Sequence, residues 1–294
     1  MRILVTGAGG QLGAYVLDEL ATRGASVGAW GRVQAVAKSG QEIEGIDLEG
    51  QGWESQLDAA SPDIVLHLAA LSAAEAVRLE PERGRRINVD VTRRLAEWCD
   101  RRGRRLVFTS TDLVFAGTKP FSCEEDPAEP VLAYGRTKRE AEPFVLATPR
   151  GLVARVSLLY GFSRSGREAY FDRTFAALRR GEPQSLFEDE FRTPLDMASA
   201  ARALVGLAQS GAAGIVHVAG RERMSRFELI RRAAVALGID PTLVSANRRA
   251  EAMLSEPRPA DVSLDTTRLA ALLPDLARPT VEEALRPHAP FYET

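Results

Sequence analysis

Cysteine, histidine and lysine are scarce in this 294-residue chain. The two cysteines, Cys99 and Cys123, form no Cys-x-x-Cys pair, which removes the basis for a disulfide framework or a structural zinc site and leaves small core or surface residues. The three histidines, His67, His217 and His288, are far apart in sequence, so no metal cluster is expected. No apolar run approaches the roughly 20 residues of a membrane span, and the N-terminus lacks the charged, apolar and cleavage regions of a signal peptide. A soluble, cytoplasmic protein with no membrane partner is expected. The 38 basic residues nearly balance the 40 acidic ones, leaving a formal charge of −2 and no bulk attraction to nucleic acid. Lys38, Lys119 and Lys138 are the only lysines, so a role that needs an ammonium has three candidates. With 45% hydrophobic residues, the chain is long enough for one large or two modest domains.

The first half alternates strand-like and helix-like segments, the pattern of an α/β fold with a parallel sheet. Residues 2–6 read as a strand and 11–22 as a helix with Leu12, Val16, Leu17 and Leu20 at helical spacing. Strands are expected over 25–30, 43–48, 63–69, 104–110 and 151–157. A long amphipathic helix is expected over 81–100, with Ile87, Val91, Leu95 and Trp98 on one stripe, and a second over 133–146, kinked or broken near Pro143. The alternation weakens after residue 158 amid Gly and Pro punctuation. This predicts a dinucleotide-binding domain over 1–157 and an interleaved substrate-binding lobe over 158–294. A helix at 197–209 and a strand at 214–219 are expected to rejoin the first sheet. Ser225, three residues before Glu228, is a capping-box signal, and the tail over 257–290 reads as short helical patches between prolines.

Thr6-Gly7-Ala8-Gly9-Gly10-Gln11-Leu12-Gly13 ends the first strand and opens the first helix, where backbone amides and the helix dipole favour a pyrophosphate. The spacing is Gly7-x-x-Gly10-x-x-Gly13, a variant of Gly-x-Gly-x-x-Gly, which demands glycine where Leu12 stands. A carboxylate at the end of strand two would bond ribose hydroxyls; here the chain reads Ala29-Trp30-Gly31-Arg32. Arg32 therefore favours NADP over NAD, the other reading being an exposed solubilising arginine. Asp47 and Leu48, after strand three, are candidates for the adenine pocket.

Tyr134 and Lys138 lie four apart in a predicted helix and so share a face. A nearby ammonium is expected to lower the phenol's pKa from its ordinary value of about 10. A hydroxyl to hold a substrate carbonyl is available just past strand five in Thr109-Ser110-Thr111-Asp112; Thr111 is preferred, with Ser110 second. The joint order of turn, hydroxyl and Tyr/Lys pair is what one active site would require.

With these residues assembled, the chain resembles the extended short-chain dehydrogenase/reductase superfamily, and within it the dTDP-4-dehydrorhamnose reductase group. Carrying segments are residues 6–13, His67-Leu68-Ala69-Ala70, Ile87-Asn88-Val89, Ser110-Thr111-Asp112-Leu113-Val114-Phe115, Tyr134-Gly135-Arg136-Thr137-Lys138, Arg192-Thr193-Pro194, and Arg258-Pro259 followed by Ser263-Leu264-Asp265. The resemblance implies a Rossmann-type doubly wound parallel sheet with a smaller C-terminal substrate lobe. It also implies a reductase of a nucleotide-linked 4-keto-6-deoxy sugar that uses NADPH, NADH being the other candidate. Tyr134 is then the proton donor, Lys138 binds the nicotinamide ribose, and Thr111 bonds the keto oxygen. Gly7, Gly9, Gly10, Gln11, Leu12, Gly13, Arg32, Asp47, Leu48, Leu68, Ala69, Ala70 and Asn88, with Tyr134 and Lys138, form the cofactor set. Ser110, Thr111, Leu113, Leu158 and Arg192 form the substrate set; Arg155 and Tyr160 are either substrate contacts or packing residues.

Two places depart from that group's pattern: Leu113 stands where the rhamnose reductases carry Tyr, and Leu158 where they carry Trp. Aliphatic side chains neither hydrogen-bond nor stack as those do, which favours a different 4-keto sugar or carrier nucleotide. Two further readings stay open. One is a nucleotide-sugar epimerase that retains its dinucleotide; a dehydratase is less favoured because Asp112 is followed by Leu113. The other is a non-catalytic NADP-binding regulator similar to the methionine adenosyltransferase beta subunit, which residues 155–161 also resemble. A homodimer is compatible with the superfamily.

Overall fold

The computed structural model describes residues 1–291. Strands β1 (Arg2–Thr6), β2 (Ser26–Gly31), β3 (Ala35–Val36), β4 (Glu42–Gly45), β5 (Ile64–His67), β6 (Arg105–Thr111) and β7 (Gly151–Val156) alternate with helices α1 (Gln11–Thr22), α2 (Trp53–Ala60), α3 (Ala74–Leu79), α4 (Pro81–Arg85), α5 (Val91–Arg101) and α6 (Ala133–Leu146). The second half holds β8 (Leu159–Tyr160), β9 (Gln184–Phe187), β10 (Phe191–Arg192), β11 (Leu195–Asp196), β12 (Gly214–Val218), β13 (Met224–Ser225) and β14 (Val244–Asn247). Among them run α7 (Tyr170–Arg179), α8 (Met197–Gln209), α9 (Arg226–Ala236), α10 (Thr267–Leu272) and α11 (Val281–Leu285).

Eight strands form one sheet in the order β12-β7-β6-β5-β1-β2-β4-β3, parallel except for the edge strand β3. Chain order runs outward from β1 through β2, then returns to β5 on its other side, so the carboxyl ends of β1 and β5 frame a crevice where strand order reverses. Both faces are covered, and that is why β5, β6 and β7 are buried along their whole length. One face packs Ile3, Val5, Leu66 and Val107 with α1 and α8; the other packs Leu4, Val65 and Phe108 with Trp53, Leu95 and Trp98. A separate cluster around Tyr160, Phe171, Phe175, Met224 and Ile230 is the core of the second lobe. β12 pairs in parallel with β7 and extends the sheet from beyond that lobe.

Three expected elements differ. The strand expected over 43–48 stops at Gly45, because the Asp47 carboxylate takes the Glu49 amide at 3.0 Å and turns the chain. The helix expected over 81–100 contains a π segment, Arg86–Asp90, whose extra residue per turn takes Ile87 off the stripe and buries Asn88 and Val89. Pro143 leaves α6 unbroken to Leu146: it removes one amide donor near the end, and its own carbonyl still accepts from the Ala147 amide at 3.0 Å. No helix among the described residues is long and apolar enough to cross a membrane.

One buried ion pair joins α6 to the sheet. Arg155 of β7 donates to Glu142 through Nε at 3.0 Å and Nη2 at 2.9 Å, and Ser110 of β6 donates to the same carboxylate at 2.7 Å. Arg155→Met leaves Glu142 charged and buried, at an expected cost of about 3–5 kcal/mol. Adding Glu142→Met should recover most of that loss. Urea unfolding of both variants checks this, and an unchanged midpoint for the single variant contradicts it.

Candidate functional site

The turn between β1 and α1 is held open by its glycines. Gly7 has φ +72°, and a Cβ there would lie 2.7 Å from the Ala69 nitrogen, so only glycine lets the turn settle against Leu68 and Ala69. A Cβ on Gly13 would strike the Gly7 carbonyl, whereas one on Gly9 would meet nothing within 4 Å. The turn is thus crowded from below and open above. Gly10 is the N-cap of α1 and supplies no side-chain acceptor, leaving first-turn amides free to bind an anion. These features fit a dinucleotide pyrophosphate. Arg32 lies exposed just past the end of β2, with Ile46 bonded to the Gly31 carbonyl at 2.8 Å beside it. Asp47 caps its own turn, and the Leu48 carbonyl accepts from the Trp53 indole at 3.1 Å.

Beneath the turn runs a buried chain of hydrogen bonds. Thr92 donates to the Asn88 carbonyl at 2.8 Å, so His67 Nε2 must donate to Thr92, at 3.2 Å, and Nδ1 accepts from Thr6 at 2.6 Å. Asn88, in the π segment, is saturated: Oδ1 accepts from the Leu71 amide at 2.8 Å, and Nδ2 donates to the Leu71 carbonyl at 3.1 Å and to Thr137 at 2.9 Å. Thr137 donates in turn to the Tyr134 carbonyl at 2.8 Å. Asn88 therefore ties the segment after β5, which holds Leu68, Ala69 and Ala70, to the helix bearing Tyr134 and Lys138.

That helix is drawn onto the end of β6 by Gly135, where a side chain would collide with the Leu113 carbonyl. Lys138 is buried, its Nζ 4.2 Å from the centre of the Phe108 ring. Burial pushes its pKa down to about 7, opposed by the Glu142 carboxylate. Tyr134 is half-buried, and desolvation followed by the Asp112 charge raises its pKa above the ordinary value of 10. The expected lowering of the phenol's pKa by Lys138 is thus outweighed here: desolvation and the Asp112 charge prevail, and Tyr134 holds its proton more firmly.

Asp112 gathers the remaining candidates. Its Oδ1 accepts from Thr111 at 3.1 Å and Arg192 at 2.8 Å, and its Oδ2 accepts from Ser157 at 3.0 Å. Asp112 and Arg192 are thereby brought together across 80 residues of sequence, with Thr111 on the same carboxylate. Ser110 points to Glu142 instead, alongside Arg155. Leu113 packs near Val114 and Phe115, Leu158 packs on the second lobe's core, and Tyr160 is buried there.

A strap from the second lobe crosses α1. Tyr15 donates to the Phe162 carbonyl at 2.7 Å, Arg164 pairs with Asp18 at 2.8 Å, and the Gln11 side chain donates to the Arg167 carbonyl. Sequence reasoning passed over Arg226, which opens α9 beside this region and whose only sequence-level signal was its place after the cap Ser225. No group of three or more His, Cys, Asp or Glu side chains among the described residues is arranged to hold a metal ion.

In architecture the chain is an extended short-chain dehydrogenase/reductase. Residues 1–288 match the family described as RmlD substrate binding domain, and the chain belongs to that family. It is 30% identical over 275 residues to dTDP-4-dehydrorhamnose reductase of Mycolicibacterium smegmatis, covering 92% of this chain and 79% of that one. It is 28% identical over 283 residues to methionine adenosyltransferase 2 subunit beta of Rattus norvegicus, covering 92% and 82%. The solved structure of MoeE5 in complex with UDP-glucose and NAD is similar with a TM-score of 0.81 at 26% identity, covering 97% and 96%.

Two buried histidines make stability pH-dependent. Burial lowers the pKa of His67 to about 3, with Lys138 adding to the effect, and that of His217 to about 4, with Arg155 adding. Unfolded, each takes a proton near 6.5; folded, each stays neutral well below that. Stability is therefore full above 6.5 and falls as pH drops toward the folded values, by about 1.4 kcal/mol per pH unit for each histidine. Urea unfolding at pH 7 and pH 5 should show a lower midpoint at pH 5; equal midpoints would contradict the burial of neutral imidazoles.

Proposed function

We propose that this protein is an NADPH-dependent reductase of a nucleotide-linked keto sugar, a 4-keto-6-deoxy sugar by its likeness to the rhamnose reductases. The observation that carries the reading is that Asp112 accepts from Thr111, at the end of β6, and acts on Tyr134 of α6, while Gly135 seats that helix against Leu113. Residues 7–13 would hold the pyrophosphate of a dinucleotide, which would supply a hydride when bound.

The chain's own groups do the rest. Tyr134, with its pKa raised, arrives protonated and gives its phenolic proton to the oxygen of the reduced carbonyl. Lys138 sits one helical turn away as the ammonium that steadies the phenolate left behind. Its depressed pKa lets it take or release a proton near neutrality. Thr111 exchanges its bond to Asp112 for one to the keto oxygen. Asp112 tolerates this because Arg192 and Ser157 continue to donate to it. Arg32 is the group for a 2′-phosphate. A sugar nucleotide is favoured by the family and by the UDP-glucose held by MoeE5.

Mixing the protein with NADPH and dTDP- or UDP-linked 4-keto-6-deoxy sugars should give loss of reduced-nicotinamide absorbance. Tight NADPH binding without turnover on any sugar would favour the regulatory reading, which the likeness to the methionine adenosyltransferase subunit keeps in view. Tyr134→Phe keeps the ring and removes the proton, so kcat should fall about 10²–10⁴-fold while NADPH affinity stays within about threefold. Unaltered turnover rejects the assignment. Arg32→Glu should reverse the preference from NADPH toward NADH by about tenfold or more in kcat/KM; an unchanged ratio removes Arg32 from the cofactor site.

A further inference from the structure

Four arginines converge where the second lobe meets the end of the sheet, and their partners do not balance. The antiparallel pair β10 and β13 sets Arg192 opposite Met224 and Phe191 opposite Ser225, so Arg226, the next residue, opens α9 beside that ladder. On the far side, Phe191 bridges to Asp261, bringing Arg258 near. Arg192 is paired with Asp112 at 2.8 Å, Arg258 with Glu190 at 3.3 Å and Arg223 with Asp261 at 2.6 Å. Arg226 has neither a hydrogen bond nor an ion pair among the described residues; its guanidinium carbon lies 5.1 Å from the centre of the Tyr170 ring.

The balance of local forces works against a cation there. Burial lowers its pKa most, the charges of Arg192 and Arg258 add to this, and Tyr170 and Glu190 offset only part of it. It stands in the first turn of α9, the positive end of the helix dipole, where a positive side chain is destabilising. An unpaired guanidinium held in such a place is one whose partner comes from outside.

We propose that Arg226 is an anion receptor for the substrate, binding phosphate oxygens of the nucleoside diphosphate portion. This rests on the nucleotide-sugar reading above. Arg192, one carboxylate away from Thr111, places the receptor next to the reacting end of the crevice without making it part of proton transfer. The same chemistry would hold a carboxylate on the sugar, and the test separates the two sources.

The full chain, saturated with NADPH, is titrated calorimetrically with thymidine 5′-diphosphate, uridine 5′-diphosphate, thymidine and glucuronate. Arg226→Met should weaken the diphosphates about 10–100-fold, leave thymidine unchanged and raise the ligand-free Tm, because an unfavourable charge is gone. Arg226→Lys should restore part of the affinity. A purely structural arginine would instead lower the Tm and disturb all ligands alike. Loss confined to glucuronate assigns the receptor to a sugar carboxylate and overturns the diphosphate assignment. Wild-type affinity for both anions in Arg226→Met overturns the proposal altogether. If wild-type protein binds no nucleoside diphosphate, the nucleotide-sugar reading falls with it.

Discussion

The Asp112 carboxylate accepts hydrogen bonds from Thr111, Ser157 and Arg192, which belong to the end of β6, the end of β7 and the short strand β10. Being almost completely buried, it needs those donors to remain charged. Three segments are consequently fixed with respect to one another by one side chain, and the place they define is the mouth of the crevice framed by β1 and β5. The sheet supplies the crevice; Asp112 holds the Thr111 hydroxyl and the Arg192 guanidinium on one carboxylate. Its negative charge also bears on Tyr134, adding to desolvation in raising the phenol's pKa.

Below that mouth the protein carries charge where an apolar core would be more stable. Lys138 lies over Phe108, and Glu142, four residues on, is taken by Arg155. Burying an ammonium lowers its pKa because the charged form loses its water, and a free carboxylate nearby would undo that. By holding Glu142 bidentately, Arg155 limits how far the carboxylate reinforces the ammonium. The neutral His67 beneath the same helix adds no positive charge. The arrangement sacrifices stability for an amine able to change protonation near neutral pH.

Local pattern made much of this visible in the sequence. The first strand, the glycine turn and α1 were readable because the turn residues, apolar run and helical periodicity agree over a continuous stretch. Helix α6 and helix α8 were readable for the same reason. The π segment at Arg86–Asp90 was not, since one extra residue in a helix leaves the composition unaltered and only slides the stripe. Two-residue strands such as β10 and β13 carry no period to detect. Tyr134 and Lys138 were singled out by spacing, whereas the Asp112 to Arg192 bond and the solitary guanidinium of Arg226 depend on tertiary contacts across tens of residues. The direction of the Tyr134 shift was missed because spacing indicates the neighbour and says nothing of burial.

The strap at 162–167 reaches across from the second lobe to Gln11, Tyr15 and Asp18, all on one helix of the first. A chimaera that joins the sheet of this protein to the second lobe of a relative would therefore inherit mismatched fasteners on α1. Exchange of specificity between family members is better attempted by transplanting crevice side chains one at a time than by trading whole lobes, unless those three helix positions travel with the graft.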